Sequence, residues 1–296
     1  MWILENIKAT IKEFSEPKYE IMMRFSVLMS LYYKENPHYL DLALNSIFTQ
    51  TVQPEQVVLV IDGPIGDELQ RVVDEYAQQY SALEVYPQEK NNGLSTALNI
   101  GLKKCRNEIV FRMDTDDICY PNRFERVIKE YEKDNGLEIV GSFATMIDEE
   151  GKVIKGMIVP KLQQEIYRNV WTCPFIHPTV SFKKSSLLRV GNYNPNSGPR
   201  QDDYELWFRC VENGLKCKNI DEPLLYYRFF KDSVARNNIR VGWWRAKVGF
   251  KGAWRCKCPV IAYIGVCYPL VRACMPSFIR QLLYKVSDKI NPRTNK

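Results

Sequence analysis

The sequence predicts an α/β fold in which a mainly parallel central sheet is covered by helices on both faces. Short apolar segments alternate with segments of helical periodicity, and the apolar segments end in polar or turn-forming residues. The 296 residues can hold one core of ~200 to 250 residues and an appendage. Hydrophobic residues at 45% and charged residues at 26% exclude a disordered chain and a collagen-like fibre.

The predicted elements follow one another in a regular order. Strands are predicted at 24–30, 56–61, 83–86, 108–113 and 138–146, and helices at 39–50, 66–80, from Ser95, at 163–170 and from Asp203. Turn chemistry at Asp62-Gly63-Pro64 stops the second strand. We expect an N-terminal extension at 1–23 with helical character, a core domain at 24–235 and a basic, aromatic, helical C-terminal segment at 236–296.

Cysteine usage and the apolar runs indicate a cytosolic chain. The nine cysteines are odd in number and scattered, which favours reduced thiols over a disulfide framework or a zinc site. The first thirty residues mix charges throughout, so we expect no secretory signal. The longest uncharged apolar run, 258–271, contains two prolines and is shorter than the ~20 residues of a membrane-spanning helix, so we expect no such span.

The C-terminal part differs in charge from the rest of the chain. From Arg240 onward there are twelve lysines or arginines and one acid, Asp288, which places a net charge of +11 there and −5 on the first 239 residues. Trp243, Trp244 and Trp254 lie among these cations. This mixture favours a helix on an anionic membrane surface over a nucleic-acid-binding segment. A helical cap with a solvated basic face is the alternative.

Polar residues stand at the ends of three predicted parallel strands. Ser30, Asp62 and Asp114 each end or follow such a strand. In open α/β sheets, ligands bind beyond the carboxyl ends of the strands. We therefore expect these three residues to converge on one crevice.

Three acidic residues follow the fourth strand, in the segment Asp114–Asp117. Carboxylates this close repel one another unless a cation neutralises them, and oxygen ligands favour a hard divalent ion such as Mg²⁺ or Mn²⁺. Such an ion would bridge to the phosphates of a ligand. The alternative is a turn and helix N-terminus, because aspartate is a good helix cap and Pro121 follows shortly afterwards.

Three further features are candidates for binding or catalysis. The turn in 89–101 opens a helix, where backbone N–H groups suit an anion, although it could equally be an ordinary strand-to-helix loop. Asp202 and Asp203 stand at a predicted helix start after a loop at 192–199, and one of them could be a general base or a helix cap. His177, one of two histidines, fits a hydrogen-bonded core or supporting role better than a direct one.

Taken in order, these segments resemble glycosyltransferase family 2. The matching segments are Ser26–Ser30, Ile61–Gly63, Asn92-Gly93, Arg112–Asp117, His177-Pro178 and Asp202–Trp207. The resemblance spans about residues 24 to 230 and is closest to bacterial enzymes that extend lipid-linked O-antigen, capsule or exopolysaccharide repeat units. It implies a GT-A nucleotide-binding fold and an inverting transfer of a hexose from a UDP-sugar to a polyprenyl-diphosphate-linked saccharide, with a β-linkage. It also implies peripheral attachment at the cytoplasmic face of the bacterial inner membrane.

The resemblance also implies roles for single residues. The nucleotide-sugar-binding residues would be Ser30, Leu31, Tyr32, Asp62, Asn92, Gly93, Arg112 and Asp114. Asp116, with Asp114, would hold Mn²⁺ or Mg²⁺. Asp203, paired with Asp202, would take the proton of the acceptor hydroxyl. His177, Tyr204 and Trp207 would lie around the acceptor or support that site.

The chain departs from the family pattern at three places. Leu31–Lys34 stands where relatives have Pro-Val-Tyr-Asn or a similar sequence, which affects the expected base contacts. Asp202 stands where the family has glutamate, while Asp203 matches the second acid of the family's pair, the catalytic base. No histidine stands two residues beyond Tyr227-Arg228, so that segment offers no histidine ligand for a metal.

Three other functions would use similar motifs. A phosphohydrolase with an Asp-x-Asp nucleophile would need small threonine or glycine residues afterwards, whereas Asp117-Ile118-Cys119 follows here. Nucleotidyl transfer would need a glycine-rich basic loop after the first strand, and that segment has none. A catalytically degenerate nucleotide-sugar-binding or membrane-binding module stays open as the alternative, and it would bind nucleotide without turnover.

Overall fold

The computed structural model describes residues 23–230 and 238–275. Within these ranges the chain forms a mixed β-sheet covered by helices, followed by a helical hairpin. Almost all of the predicted N-terminal extension lies outside the described residues, as does the basic segment from residue 276 onward.

The elements alternate along the chain as follows. The strands are β1 (Phe25–Leu31), β2 (Gln56–Ile61), β3 (Leu83–Pro87), β4 (Ile109–Arg112), β5 (Ile118–Cys119), β6 (Ile139–Ile147), β7 (Val153–Met157), β8 (Ser181–Lys183) and β9 (Cys217–Arg228). The α-helices are α1 (Pro37–Phe48), α2 (Asp67–Gln79), α3 (Leu94–Lys104), α4 (Arg123–Lys133), α5 (Gln163–Arg168), α6 (Lys184–Arg189), α7 (Asp202–Glu212), α8 (Ile239–Arg255) and α9 (Val260–Cys274). Two 3₁₀ helices lie at Val170–Thr172 and His177–Thr179.

The sheet is parallel in its first half and mixed in its second. Its strand order is β3-β2-β1-β4-β8-β6-β9-β5, with β7 paired to β6 outside this path. Strands β1 to β4 pair in parallel, as predicted. The rest of the sheet is mixed and not mainly parallel as predicted: β6 and β9 pair in parallel, but β8 enters between β4 and β6 and runs antiparallel to both. A three-residue strand is too short to show a periodic pattern in the sequence.

Two apolar clusters cover the opposite faces of the sheet. Side chains alternate along β1, so that Val27 and Met29 join the cluster with α1, α2 and α4, and Leu28 joins the cluster with α3, α5, α6 and α7. Helix α1 begins two residues before the predicted start, because Asn36 caps it by accepting a hydrogen bond of 2.9 Å from His38 N.

The two C-terminal helices, α8 and α9, form a hairpin that docks on α7. Gly249 lies against Tyr204 and Gly252 against Phe208, and a Cβ atom at either glycine would collide with these residues. Such small residues let α8 approach α7 closely. Among the described helices, none combines the length and apolar character that crossing a bilayer requires.

Candidate active site

Two cavities open beside the carboxyl ends of the parallel strands. The larger cavity, about 520 Å³, includes Ser30, Tyr32, Asp62, Gly93, Asp114 and Asp116 in its lining. The smaller cavity, about 330 Å³, includes Cys173, His177, Asp202 and Asp203. Both are lined by Leu94, Asp114, Arg200 and Tyr227. The expected convergence of three strand ends is therefore confirmed, and the crevice adjoins a second cavity.

The acidic residues after β4 form a compact cluster. Carboxylate oxygens of Asp114, Asp116 and Asp117 lie within 4.8 Å of one another. Burial, together with the negative charge of Asp114, raises the pKa of Asp116 to about 7. Burial also raises the pKa of Asp117, whose Oδ2 has no hydrogen-bond partner. An oxygen-only set that includes a buried, unpartnered carboxylate oxygen suits a hard divalent cation.

Two arginines hold this acidic cluster in place. The fully buried guanidinium of Arg112 donates hydrogen bonds to the Asp114 carboxylate and to the carbonyl of Met113. On the other side, Arg228 N donates to Asp117 Oδ1 at 2.8 Å, and Arg228 Nε donates to the Asp116 carbonyl at 2.9 Å. The end of β9 is thereby tied to the segment that follows β4.

Asp62 shapes part of the wall of the larger cavity. Its carboxylate accepts hydrogen bonds from Asn92 N at 2.8 Å and Gly93 N at 2.9 Å. Gly93 has a φ of +88°, a conformation that favours glycine. Each carboxylate oxygen has a second lone pair, so Asp62 can also accept a hydrogen bond from a ligand in the cavity.

The pair Asp202 and Asp203 stands at the start of α7, beside the smaller cavity. Ser95 donates a hydrogen bond to Asp202, while burial and the charge of Asp203 raise the Asp202 pKa. Asp203 Oδ1 accepts from Tyr204 N at 2.7 Å, and Oδ2 accepts from the Cys173 thiol at 3.5 Å. Both carboxylates are half-buried, and both line the smaller cavity, where a ligand hydroxyl could reach them.

His177 contributes a neutral imidazole to the smaller cavity. Its Nε2 lies 2.9 Å from the Tyr193 hydroxyl, and its ring centroid lies 6.1 Å from that of Trp207. Burial, followed by the positive charge of Arg112, lowers the pKa of His177 to about 4. The ring is therefore uncharged near neutral pH.

Five of the expected site residues line neither cavity. Leu31 lies in the core because side chains alternate along β1, and Tyr204 and Trp207 lie on the buried face of α7. Arg112 lies beneath Asp114, and Asn92 is exposed and contributes its backbone N–H to Asp62. The contribution of these residues to the cavities is therefore indirect.

The cavities also contain residues that sequence reasoning did not select. The main ones are Leu94, Cys173, Arg200, Tyr227 and Arg228. Arg200 could have been selected from the sequence, because it stands three residues before the candidate base Asp203. Cys173 gave no signal, because only the 3₁₀ helix at Val170–Thr172 turns it toward Asp203.

Comparison with known proteins agrees with this architecture. The family model described as glycosyl transferase family 2 matches residues 26–190. An Escherichia coli UDP-Gal:alpha-D-GlcNAc-diphosphoundecaprenol beta-1,3-galactosyltransferase is 37% identical over 215 residues, which cover 72% of this chain and 77% of the relative. The amylovoran biosynthesis glycosyltransferase AmsE of Erwinia amylovora is 34% identical over 278 residues, which cover 90% of this chain and 99% of the relative.

A solved structure shares the fold. The mannosyltransferase PcManGT from Pyrobaculum calidifontis, in complex with GDP-Man and Mn²⁺, superposes with a TM-score of 0.61 at 17% identity. The match covers 97% of this chain and 87% of that one. The expected GT-A-like α/β fold is thereby confirmed.

Proposed function

The chain belongs to glycosyl transferase family 2, and from that premise we propose that it transfers a hexose from a UDP-sugar to a lipid-linked saccharide in the biosynthesis of a bacterial surface polysaccharide. The observation that carries this proposal is the wall shared by the two cavities. The larger cavity is lined by Asp62, Asp114 and Asp116, the smaller is lined by Asp203, and Asp114 borders both. Two substrates can therefore meet at one point.

The larger cavity is the donor cavity in this proposal. Ser30, Tyr32 and Asp62 hold the nucleobase, and Asp114 lies near the ribose, while the backbone around Gly93 borders the nucleotide sugar. Uracil presents an N–H group that can donate a hydrogen bond to a carboxylate such as that of Asp62. The name of the E. coli relative, which includes UDP-Gal, supports uracil as the base.

The acidic cluster fits a divalent cation, Mn²⁺ or Mg²⁺. Asp116 and Asp114 would hold it, and Asp117, whose Oδ2 has no hydrogen-bond partner, belongs to the same cluster. When bound, such a cation neutralises negative charge on the nucleoside diphosphate leaving group. The Mn²⁺ in the structure of PcManGT supports this part of the proposal.

The smaller cavity is the acceptor cavity. Asp203 takes the proton of the acceptor hydroxyl while that oxygen attacks the anomeric carbon from the side opposite the leaving group. A single displacement of this kind inverts the anomeric centre and gives a β-linkage from an α-linked donor. The neutral imidazole of His177 can offer a hydrogen bond to the acceptor sugar without adding charge.

The helical hairpin offers a surface for the membrane that carries the acceptor. Along α8, the exposed apolar residues Ile239, Trp243, Phe250 and Trp254 are spaced so that they share one helical face. Lysines and arginines flank this face at positions 240, 247, 251 and 255. On α9, the exposed apolar residues are Val260, Ile261, Ile264, Tyr268 and Val271.

An apolar face flanked by cations fits a bilayer surface that contains anionic lipids. Because the hairpin docks on α7, which begins with Asp202 and Asp203, membrane contact would place the base near the lipid-borne acceptor. The name of the E. coli relative specifies a GlcNAc-diphosphoundecaprenol acceptor, which supports a lipid-linked substrate.

Nucleotide binding tests the donor assignment before the acceptor sugar is known. We expect UDP with Mn²⁺ to raise the melting temperature, and UDP alone, GDP or dTDP to raise it less, because a ligand that binds the native state stabilises it by mass action. Transfer from UDP-hexoses to a synthetic GlcNAc-diphosphate lipid then tests the reaction. No shift with any nucleotide contradicts the proposal, and binding without transfer to any lipid-linked saccharide indicates a degenerate module.

A further inference from the structure

Arg200 lies where the donor and acceptor cavities meet. Among the lysines and arginines of the described residues, it alone lines both cavities, whereas Lys34 and Arg228 line the donor cavity only. Arg200 is therefore the cation at the point where donor and acceptor are joined.

The backbone holds Arg200 in an unusual conformation. Its φ is +61°, in the left-handed region that non-glycine residues rarely adopt. The preceding turn is fixed by a 3.3 Å hydrogen bond from Gln201 N to the carbonyl of Gly198, and the indole of Trp244 covers Gly198. Cys173, on the wall of the acceptor cavity, also has a positive φ, of +64°. Strained backbone of this kind concentrates at functional sites.

We propose that Arg200 binds a diphosphate at this junction, and this inference rests on the proposed glycosyl transfer. A guanidinium offers a planar set of N–H donors that matches phosphate oxygens. Asp114, the other charged residue common to both cavities, belongs to the acidic cluster, which in the proposed function holds the cation that neutralises the donor diphosphate. Arg200 thus borders the same two cavities as a member of that cluster.

If Arg200 binds the diphosphate of the donor, it contacts the leaving group of the reaction. The acceptor oxygen forms a bond to the anomeric carbon, and its proton passes to Asp203. The bond between the anomeric carbon and the β-phosphate oxygen breaks, and its electron pair stays on that oxygen. Hydrogen bonds from Arg200 stabilise the charge that develops there.

A diphosphate also occurs in the lipid-linked acceptor. Two measurements distinguish the diphosphate of the donor from that of the acceptor. Calorimetry with Mn²⁺ compares UDP with UMP, which lacks the β-phosphate. Steady-state kinetics compare the KM of a GlcNAc-diphosphate lipid with that of a GlcNAc glycoside of the same alkyl chain. The variants are Arg200→Asn, which tolerates a positive φ, and Arg200→Lys, which keeps the charge.

We expect Arg200→Asn to weaken UDP binding by about 10- to 100-fold, as the loss of charge-assisted hydrogen bonds implies, and to change UMP binding far less. Arg200→Lys should restore part of the loss. The matched control is Lys257→Asn, which removes a cation from another residue with a positive φ, of +51°, outside both cavities. Lys257→Asn should leave UDP binding unchanged. The melting temperature of each variant shows whether it is folded.

The other results have distinct meanings. Unchanged UDP binding with a selectively raised KM for the diphosphate-linked acceptor supports the diphosphate contact and assigns it to the acceptor. The inference is overturned if a folded Arg200→Asn variant keeps the wild-type ratio of UDP to UMP affinity and the wild-type ratio of the two acceptor KM values. If the wild-type protein itself binds no UDP, the proposed function fails. If the wild type and the variant bind UDP equally, the proposed function stands and the donor contact of Arg200 fails.

Discussion

The buried guanidinium of Arg112 donates a hydrogen bond to the carboxylate of Asp114, so the last residue of β4 supports a residue that lines both cavities. Removing one partner of such a pair leaves the other without compensation. Because the Asp114 side chain is 32% exposed and water can solvate part of its charge, we expect Arg112→Met to lower the free energy of unfolding by about 1.5–3 kcal/mol, measured by urea denaturation. The control Arg126→Met breaks a partly exposed pair with Glu222, whose side chains are 28% and 45% exposed, and should cost about 1 kcal/mol or less. Equal losses in both variants would contradict the buried role of Arg112.

The acidic cluster leads to a prediction about metal-dependent binding. Asp116→Ala removes one oxygen donor from the cluster, so Mn²⁺ should no longer increase the thermal stabilisation by UDP. Differential scanning fluorimetry with and without Mn²⁺ measures this. The control is Glu75→Ala, which removes an exposed acid on α2 and should behave as the wild type. A full Mn²⁺ response in Asp116→Ala would refute the metal assignment.

The same cluster predicts how stability depends on pH in a chelating buffer. Burial and Asp114 raise the pKa of Asp116 from 3.8 to about 7, so the folded state keeps a proton that the unfolded chain loses. The stabilisation from this proton is complete below pH 3.8 and is lost as pH rises toward about 7. The wild type should therefore lose stability relative to Asp116→Asn between about pH 4 and about pH 7 and change little above that range.

Urea denaturation at several pH values measures this difference between the two proteins. Because the pKa of Asp117 is also raised, Asp116→Asn should reduce the pH dependence without abolishing it. Parallel curves for wild type and variant would show that Asp116 ionises normally.

The position of Asp203 predicts a variant that binds but does not transfer. Asp203→Asn keeps the oxygen that accepts from Tyr204 N but cannot take a proton. UDP affinity should stay within about twofold, while kcat falls by about 10² to 10⁴-fold. Asp202→Asn, which can still accept from Ser95, should lose less activity. Transfer by Asp203→Asn at the wild-type rate would exclude it as the base.

The exposed face of the hairpin predicts binding to anionic vesicles. The double variant Trp254→Ser/Ile264→Ser removes two side chains that are 78% and 67% exposed, so folding should be little affected. Partitioning into phosphatidylglycerol vesicles should fall at least about tenfold, because burial of apolar side chains in the interface is lost. Leu162→Ser, at a residue 62% exposed on the sheet domain, is the control. Equal partitioning of both variants would indicate that the hairpin is only a structural cap.

Local patterns in the sequence were sufficient for the first half of the fold. The continuous apolar segments of β1, β2 and β4 and the polar residues after them predicted the parallel strands and their common crevice. The later half was harder because β8 is three residues long and β5 is two. Such strands form because the sheet offers them partners, and their own sequences carry no periodic signal.

For the candidate site, the sequence by itself determined the chemistry that is available: Asp62 after β2, the acidic segment after β4, and Asp202 and Asp203 at the start of α7. Only the tertiary structure decided which groups meet. It buried Arg112 under Asp114 and brought Arg200 to the border of both cavities. The reason is physical: periodicity reports which face of an element is buried, whereas contacts between distant segments depend on how the loops close around the packed core.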